Sequence, residues 1–153
     1  MSASDVSAST TIAAPPATIF AILADPRQHA RIDGSGTVRG AVSGPERLEL
    51  GSRFGMRMKL GAPYRIRNTV VEYDADRLIA WRHVGTHRWR YELEPTAEGT
   101  RVTETWDVSR CNGPTRWVLG ALGYPRTHAR SIERTLATLK TVAEADTAAT
   151  AAP

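Results

Sequence analysis

THRWRYELEPTAEGTRVTETWDVSR, residues 86–110, reads as two strands joined by a turn that contains Pro95 and Gly99. In the first strand Trp89, Tyr91 and Leu93 share one face, and Arg88, Arg90, Glu92 and Glu94 share the other. In the second, Val102, Glu104, Trp106 and Val108 alternate with Arg101, Thr103, Thr105 and Asp107. Successive strand side chains point to opposite faces, so one sheet face is aromatic and buried while the other is charged and wet. Glu104 breaks the pattern by standing in register with Val102 and Trp106. A carboxylate on an apolar face needs a partner or a solvated cavity.

Working outward, the neighbouring segments repeat this texture. Residues 52–60 place Phe54, Met56, Met58 and Leu60 on one side and Arg53, Arg57 and Lys59 on the other. Residues 64–73 and 78–84 read as further strands, separated by Asp74-Ala75-Asp76, and residues 37–43 as a weaker one. Short turns throughout imply an antiparallel meander. After a disordered start, residues 6–13 form a strand, and Pro15-Pro16 ends it and pre-sets a helix over 17–24. Residues 27–32 supply one more helical turn before the loop Asp33-Gly34-Ser35-Gly36. The last third changes period: Ile132, Leu136, Leu139 and Val142 recur at helical spacing. That helix starts near Pro114 and is weakened at Gly120, Gly123 and Pro125. A curved antiparallel sheet has one apolar face, and the long helix is the only element large enough to cover it. The expectation is an α+β domain over 1–144, with about seven strands and two short helices after the first, and a disordered tail over 145–153.

Composition narrows the function classes. A chain of 153 residues, 41% hydrophobic and 24% charged, is an ordinary soluble globular domain that needs neither disulfide nor metal to hold a core. The single Cys111 has no internal partner, so a reducing, cytoplasmic setting is the default. No stretch reaches the length of a membrane span, and MSASDVSAST is no signal peptide, so stable membrane insertion is not expected. The formal charge of +4 raises nucleic acid as a partner. The arginines, however, fall at every second position of several strands among acidic residues, as on a solvated sheet face, so nucleic-acid binding is not expected.

Three segments, IAAPPATIFAILADPRQHARIDGSG (12–36), NTVVEYDADRLIAWRH (68–83) and TAEGTRVTETWDVSR (96–110), carry a resemblance over almost all of 5–144. They resemble the SRPBCC superfamily, which includes START lipid-transfer domains, Bet v 1-like proteins and polyketide cyclases/dehydrases. The Pro-Pro helix start, the DGSG loop and the TRVTETWD strand look like a bacterial, actinobacterial-type branch. The resemblance implies the helix-grip fold. It offers no invariant catalytic residue to transfer, and similar proteins bind lipids, hormones or polyketides.

Candidate chemistry gathers on the apolar face. Glu104 is either a cavity carboxylate that orients a ligand or acts as general base, or a structural partner of an arginine. Asn68, between Ile66 and Val70, and His83, after Ile79 and Trp81, add polar groups in an apolar setting. Phe54, Met56, Met58, Trp81, Trp89, Tyr91, Trp106 and Trp117 supply ligand-lining apolar surface, or core. His83 and His87 straddle a turn without a third ligand at metal spacing, so no metal or other cofactor is expected. Cys111 lacks a neighbouring His, and no Gly-x-Ser-x-Gly elbow is present. GSGTVRG follows a helix and precedes a strand, the reverse of a dinucleotide fingerprint.

The sequence therefore points to binding of a small hydrophobic ligand (lipid, polyketide or aromatic) between sheet and C-terminal helix. The alternative is a polyketide cyclase/dehydrase-type enzyme in which Glu104, His83 or Asn68 handles protons. A protein-interaction module ranks last, and oligomeric state is not legible.

Overall fold

The computed structural model describes residues 2–83 and 85–153. Strand β1 (Val6–Ile12) leads through Pro15, in extended conformation, into α1 (Pro16–Leu23). Proline suits the first helical turn because its missing N–H has no partner there anyway. α1 buries Ile19, Phe20, Ile22 and Leu23. Asp25 then caps a 3₁₀ turn (Pro26–Gln28), its carboxylate accepting from the Arg27 N–H at 2.9 Å. A single turn, α2 (His29–Ile32), ends the helix pair.

Six strands follow: β2 (Val38–Ser43), β3 (Arg53–Leu60), β4 (Ala62–Asp74), β5 (Leu78–Arg82), β6 (Arg88–Thr96) and β7 (Gly99–Asp107). Together with β1 they form one antiparallel sheet in the order β1-β7-β6-β5-β4-β3-β2. Register shifts in the β2–β3 and β4–β5 pairings are the bulges that bend the sheet. Val84, the last residue of the strand expected over 78–84, lies outside the described residues.

α3 (Gly113–Ala121) and α4 (Tyr124–Ala151) complete the chain. Asn112 caps α3 by accepting from the Thr115 N–H, and Gly123, at φ 74°, is the joint between the two helices. α4 lies in the concave side of the sheet and buries Ile132, Thr135, Leu136, Leu139 and Ala143. Its second half is pinned to the start of the chain. Lys140 donates to the Thr11 carbonyl at 2.7 Å, and Glu144 accepts from the Ala13 N–H at 2.9 Å. In the DGSG loop the Gly34 N–H donates to the Thr135 hydroxyl at 2.9 Å.

Three expectations need correction. The tail expected to be disordered from residue 145 continues α4 to Ala151. Alanine has the highest helix propensity, and Asp146 is held by two hydrogen bonds from Arg31 at 2.7 and 3.0 Å. At the other end, Ala3 is buried and exchanges hydrogen bonds with Arg116, so the start of the chain is anchored against α3. Finally, the outer sheet face is not uniformly wet. Arg88 is buried there in ion pairs with Asp107, its register partner on β7, and with Glu72 at 3.1 Å.

Candidate functional site

Cross-strand register explains how the inward residues meet. Trp81 stands opposite Trp89, Trp89 opposite Trp106, and Tyr91 opposite Glu104. Glu104 is 2% exposed, and Tyr91 donates its hydroxyl to Glu104 Oε1 at 2.9 Å. The arginine partner that the sequence offered as one reading is therefore replaced by a tyrosine. Glu104 Oε2 has no hydrogen-bond partner among the described residues. Burial is the main force on this carboxyl and pushes its pKa from 4.5 to about 8. The Tyr91 hydrogen bond opposes the shift, and the field of Asp33 adds to it. At neutral pH Glu104 is thus an uncharged acid. Because Oε1 accepts from Tyr91, the acid proton belongs on Oε2, where it forms an unused donor.

A ladder of rings runs from this pair across the sheet. Tyr91 stacks on Trp81 at 5.4 Å, and Trp81 stacks on His29 at 4.8 Å and meets Phe54 edge-on. Asn68, buried opposite Phe54 in the β3–β4 register, belongs to this inner face. Met56 is buried beside it, while Met58 is only half-buried and Leu60, the last of the stripe, is 73% exposed. Among the described residues no hydrogen bond joins Asn68, His83 and Glu104 to one another.

Beyond Trp106 lies a histidine cluster of which the sequence reading singled out His83 and His87 but missed His128. His83 and His87 sit 5.1 Å apart, His87 lies 6.0 Å from Trp106, and His128 of α4 lies 4.5 Å from Trp106 and 4.9 Å from Trp89. The signal for His128 was present. It precedes Ile132 by four residues, and so shares the inward stripe of the helix with Ile132 and Leu136. His83 Nδ1 and Trp106 Nε1 are buried without a partner among the described residues. Burial, then His87, lowers His83 to about 4. Burial, then His87 and His83, lowers His128 to about 4 as well, and His87 is lowered by burial. The rings are neutral acceptors or N–H donors at physiological pH. No group of three or more His, Cys, Asp or Glu among the described residues has the geometry to hold a metal ion.

These shifts have a measurable consequence. Below 6.5 the unfolded chain takes up protons that the folded rings refuse, so stability is lost as pH falls from about 6.5 toward 4. NMR titration of the imidazole C–H signals is expected to show His83 and His128 still neutral at pH 5.5. Titration near 6.5 would mean that both rings are solvated.

Trp117 stands apart from the rest, 59% exposed on α3, a helix that buries none of its residues. Two surface concavities among the described residues are likewise elsewhere. One, of about 500 Å³, lies on the outer side of α1 between Ala17, Ile22, Arg31 and Asp146. The other, of about 240 Å³, lies between Pro26 and the 41–46 segment. Neither is between sheet and α4, where the sequence placed a ligand. No helix among the described residues is long and apolar enough to cross a membrane.

Known proteins agree with this architecture. The chain is 46% identical over 142 residues to the uncharacterized protein Rv0088 of Mycobacterium tuberculosis, a match that covers 88% of this chain and 62% of that one. This mycobacterial likeness agrees with the actinobacterial branch expected from the sequence, and the chain spans less than two thirds of that relative's length. The solution structure of the KanY protein superposes with a TM-score of 0.70 at 15% identity, covering 94% of this chain and 99% of that one. A Rhodobacter sphaeroides protein superposes at 0.69, also at 15% identity and with 93% of each chain covered. At such identities the likeness speaks for the fold alone. The family described as polyketide cyclase / dehydrase and lipid transport matches residues 3–144, and the chain belongs to it.

Proposed function

We propose that the chain binds a small hydrophobic molecule bearing at least one hydroxyl or carbonyl group, held between the sheet and α4. One observation carries this reading. Glu104 Oε2, Trp106 Nε1 and His83 Nδ1 are three buried polar atoms on the inner face without a partner among the described residues. A buried polar atom left unpaired costs about 1–3 kcal/mol, so a ligand that pairs with these atoms gains what the empty protein forgoes. The surrounding surface is aromatic, from Trp81, Trp89, Tyr91 and Trp106, which suits a flat or polycyclic guest. Since neither concavity described above opens between sheet and α4, admission requires α3 and the first turns of α4 to swing outward about Gly123. α3 has no fully buried residue, and is held by the Arg116–Ala3 hydrogen bonds and the partly buried Leu119, which such a motion would have to release.

The test is a melting and tryptophan-fluorescence screen against fatty acids, sterols and aromatic polyketides. At least one class is expected to raise the melting temperature and change tryptophan emission. Trp106→Phe, which keeps the ring but removes the N–H, is expected to weaken that ligand about tenfold, the value of one hydrogen bond of about 1.4 kcal/mol. A panel that leaves both signals unchanged refutes the reading.

A second reading, a cyclase/dehydrase-type enzyme, draws on a separate feature. A carboxyl with a pKa of about 8 is poised to give a proton to a substrate carbonyl at neutral pH. Turnover of a polyketone would then fall as pH rises through about 8, and Glu104→Gln would abolish turnover while leaving binding in place.

A further inference from the structure

The exposed apolar residues are not scattered. Strands β3, β5 and β7 leave the sheet at the end where β4 and β6 enter it, and α3 starts from that same end. Leu60 and Tyr64 flank the β3–β4 turn there. Trp117, Val118, Leu122 and Tyr124 lie on α3 and the start of α4, with Trp117 59% and Leu122 67% exposed. Among the described residues only Val42 and Leu50 of the exposed large apolar side chains lie away from this end.

Charge follows the same division. Residues 50–71 contain Arg53, Arg57, Lys59, Arg65 and Arg67 and no Asp or Glu. Residues 108–132 contain Arg110, Arg116, Arg126 and Arg130 and no Asp or Glu. The whole chain carries only +4, so the remainder of the molecule is net acidic; within the first segment Arg57, Lys59 and Arg65 stand near the β3–β4 turn, whereas Arg53, opposite Thr69, lies at the far end of β3. The acidic residues that intersperse the arginines elsewhere are missing from these two segments.

We propose that this end of the molecule docks on anionic phospholipid bilayers. Trp117 and Leu122 enter the headgroup region, and Lys59, Arg126 and their basic neighbours contact lipid phosphates. Aromatic and aliphatic side chains framed by Lys and Arg are the composition of an interfacial membrane anchor. Each basic residue near an anionic surface adds to the attraction. A nucleic-acid surface fits less well, because Val118, Leu122 and Leu60 would be set against phosphates with no apolar surface to bury them. The site is separate from the buried face assigned to the small ligand, although α3 borders both.

The test is sedimentation of the full chain with vesicles of phosphatidylcholine alone or mixed with phosphatidylglycerol. Binding to the mixed vesicles is expected to exceed binding to neutral ones at least tenfold, to weaken in high salt, and to shift tryptophan emission to the blue. Trp117→Ser with Leu122→Ser removes exposed side chains without touching the core, and is expected to lower the vesicle affinity tenfold or more. Lys59→Glu with Arg126→Glu is expected to remove the preference for anionic lipid. Equal or absent partitioning into both vesicle types overturns the proposal. So does binding of a polynucleotide without vesicle binding, or a dimer that the serine variant dissolves while vesicles go unbound. Small-ligand melting shifts, read on the same serine variant, report independently on the buried face.

Discussion

Glu104→Gln is expected to stabilise the fold at pH 8 by about 2–3 kcal/mol, and to destabilise it by about 1–2 kcal/mol at pH 4. Below 4.5 the carboxyl is protonated in both the folded and unfolded chains, and it makes no pH-dependent contribution. Between 4.5 and about 8 the unfolded chain ionises while the buried group does not. Folding is then penalised progressively, because the unfolded state has gained a favourable hydrated charge. At about 1.4 kcal/mol per unit the full penalty reaches about 4–5 kcal/mol above pH 8. Glutamine never ionises, so it escapes this penalty, and its carbonyl still accepts from Tyr91. Its extra N–H, facing the space near Oε2, gives back about 1–2 kcal/mol as an unpaired donor. Urea unfolding at pH 4, 6 and 8 is the measurement. The wild-type midpoint should fall toward pH 8 relative to the variant. Parallel curves would show that Glu104 is ionised in the folded protein, and its role as an uncharged donor would then be withdrawn. Most buried polar replacements destabilise, so the direction of the change is itself diagnostic.

Gly34→Ala is expected to cost about 3 kcal/mol, and to loosen α4 from the sheet. Gly34 lies where the DGSG loop crosses α4. A Cβ there would collide with the Thr135 backbone nitrogen and stand 2.6 Å from both Arg134 Cβ and the Ser131 carbonyl oxygen. Most of these atoms are backbone or the root of a side chain, so relief requires the helix or the loop to move. The loop's hydrogen bond to the Thr135 hydroxyl would be strained by the same motion. Gly36, two residues on, is the control. An added Cβ there meets nothing within 4 Å, so Gly36→Ala should cost only about 1 kcal/mol for its φ of 74°. Denaturant midpoints of the two variants, with amide exchange along α4, separate close approach from backbone strain. If both cost the same, Gly34 does not act through contact with the helix.

These two predictions bear on different parts of one arrangement. Glu104 measures how dry the inner face is, and Gly34 measures how firmly the helix is held against it. A ligand that enters by displacing α3 and the first turns of α4 acts against the second in order to reach the first. The lock near Gly34 sits at Ser131–Thr135, just before the middle of α4, and Lys140, Glu144 and Asp146 beyond it are tied to residues 11–31. Among the described residues the first turns of α4, around His128, show no such hydrogen bonds to the helix pair, and there His83, His87, Trp89 and His128 are only half-buried.

Strand alternation at period 2 and the stripe of α4 at period 3.6 are local properties of the chain, and both were legible in residues 52–108 and 128–143 without coordinates. So was the inward placement of Tyr91, Glu104 and Trp106, because a short turn fixes which hairpin residues share a face. What tertiary structure alone decided is which distant groups meet. His128 joins His83 and His87 only because α4 crosses the sheet at Trp106. Arg88 leaves water only because β-sheet register sets it beside Asp107 and Glu72, and residues 145–151 are ordered only once Arg31 reaches Asp146. The physical reason is range: periodicity is set by backbone geometry within a few residues, whereas burial and charge pairing depend on contacts that no local pattern encodes.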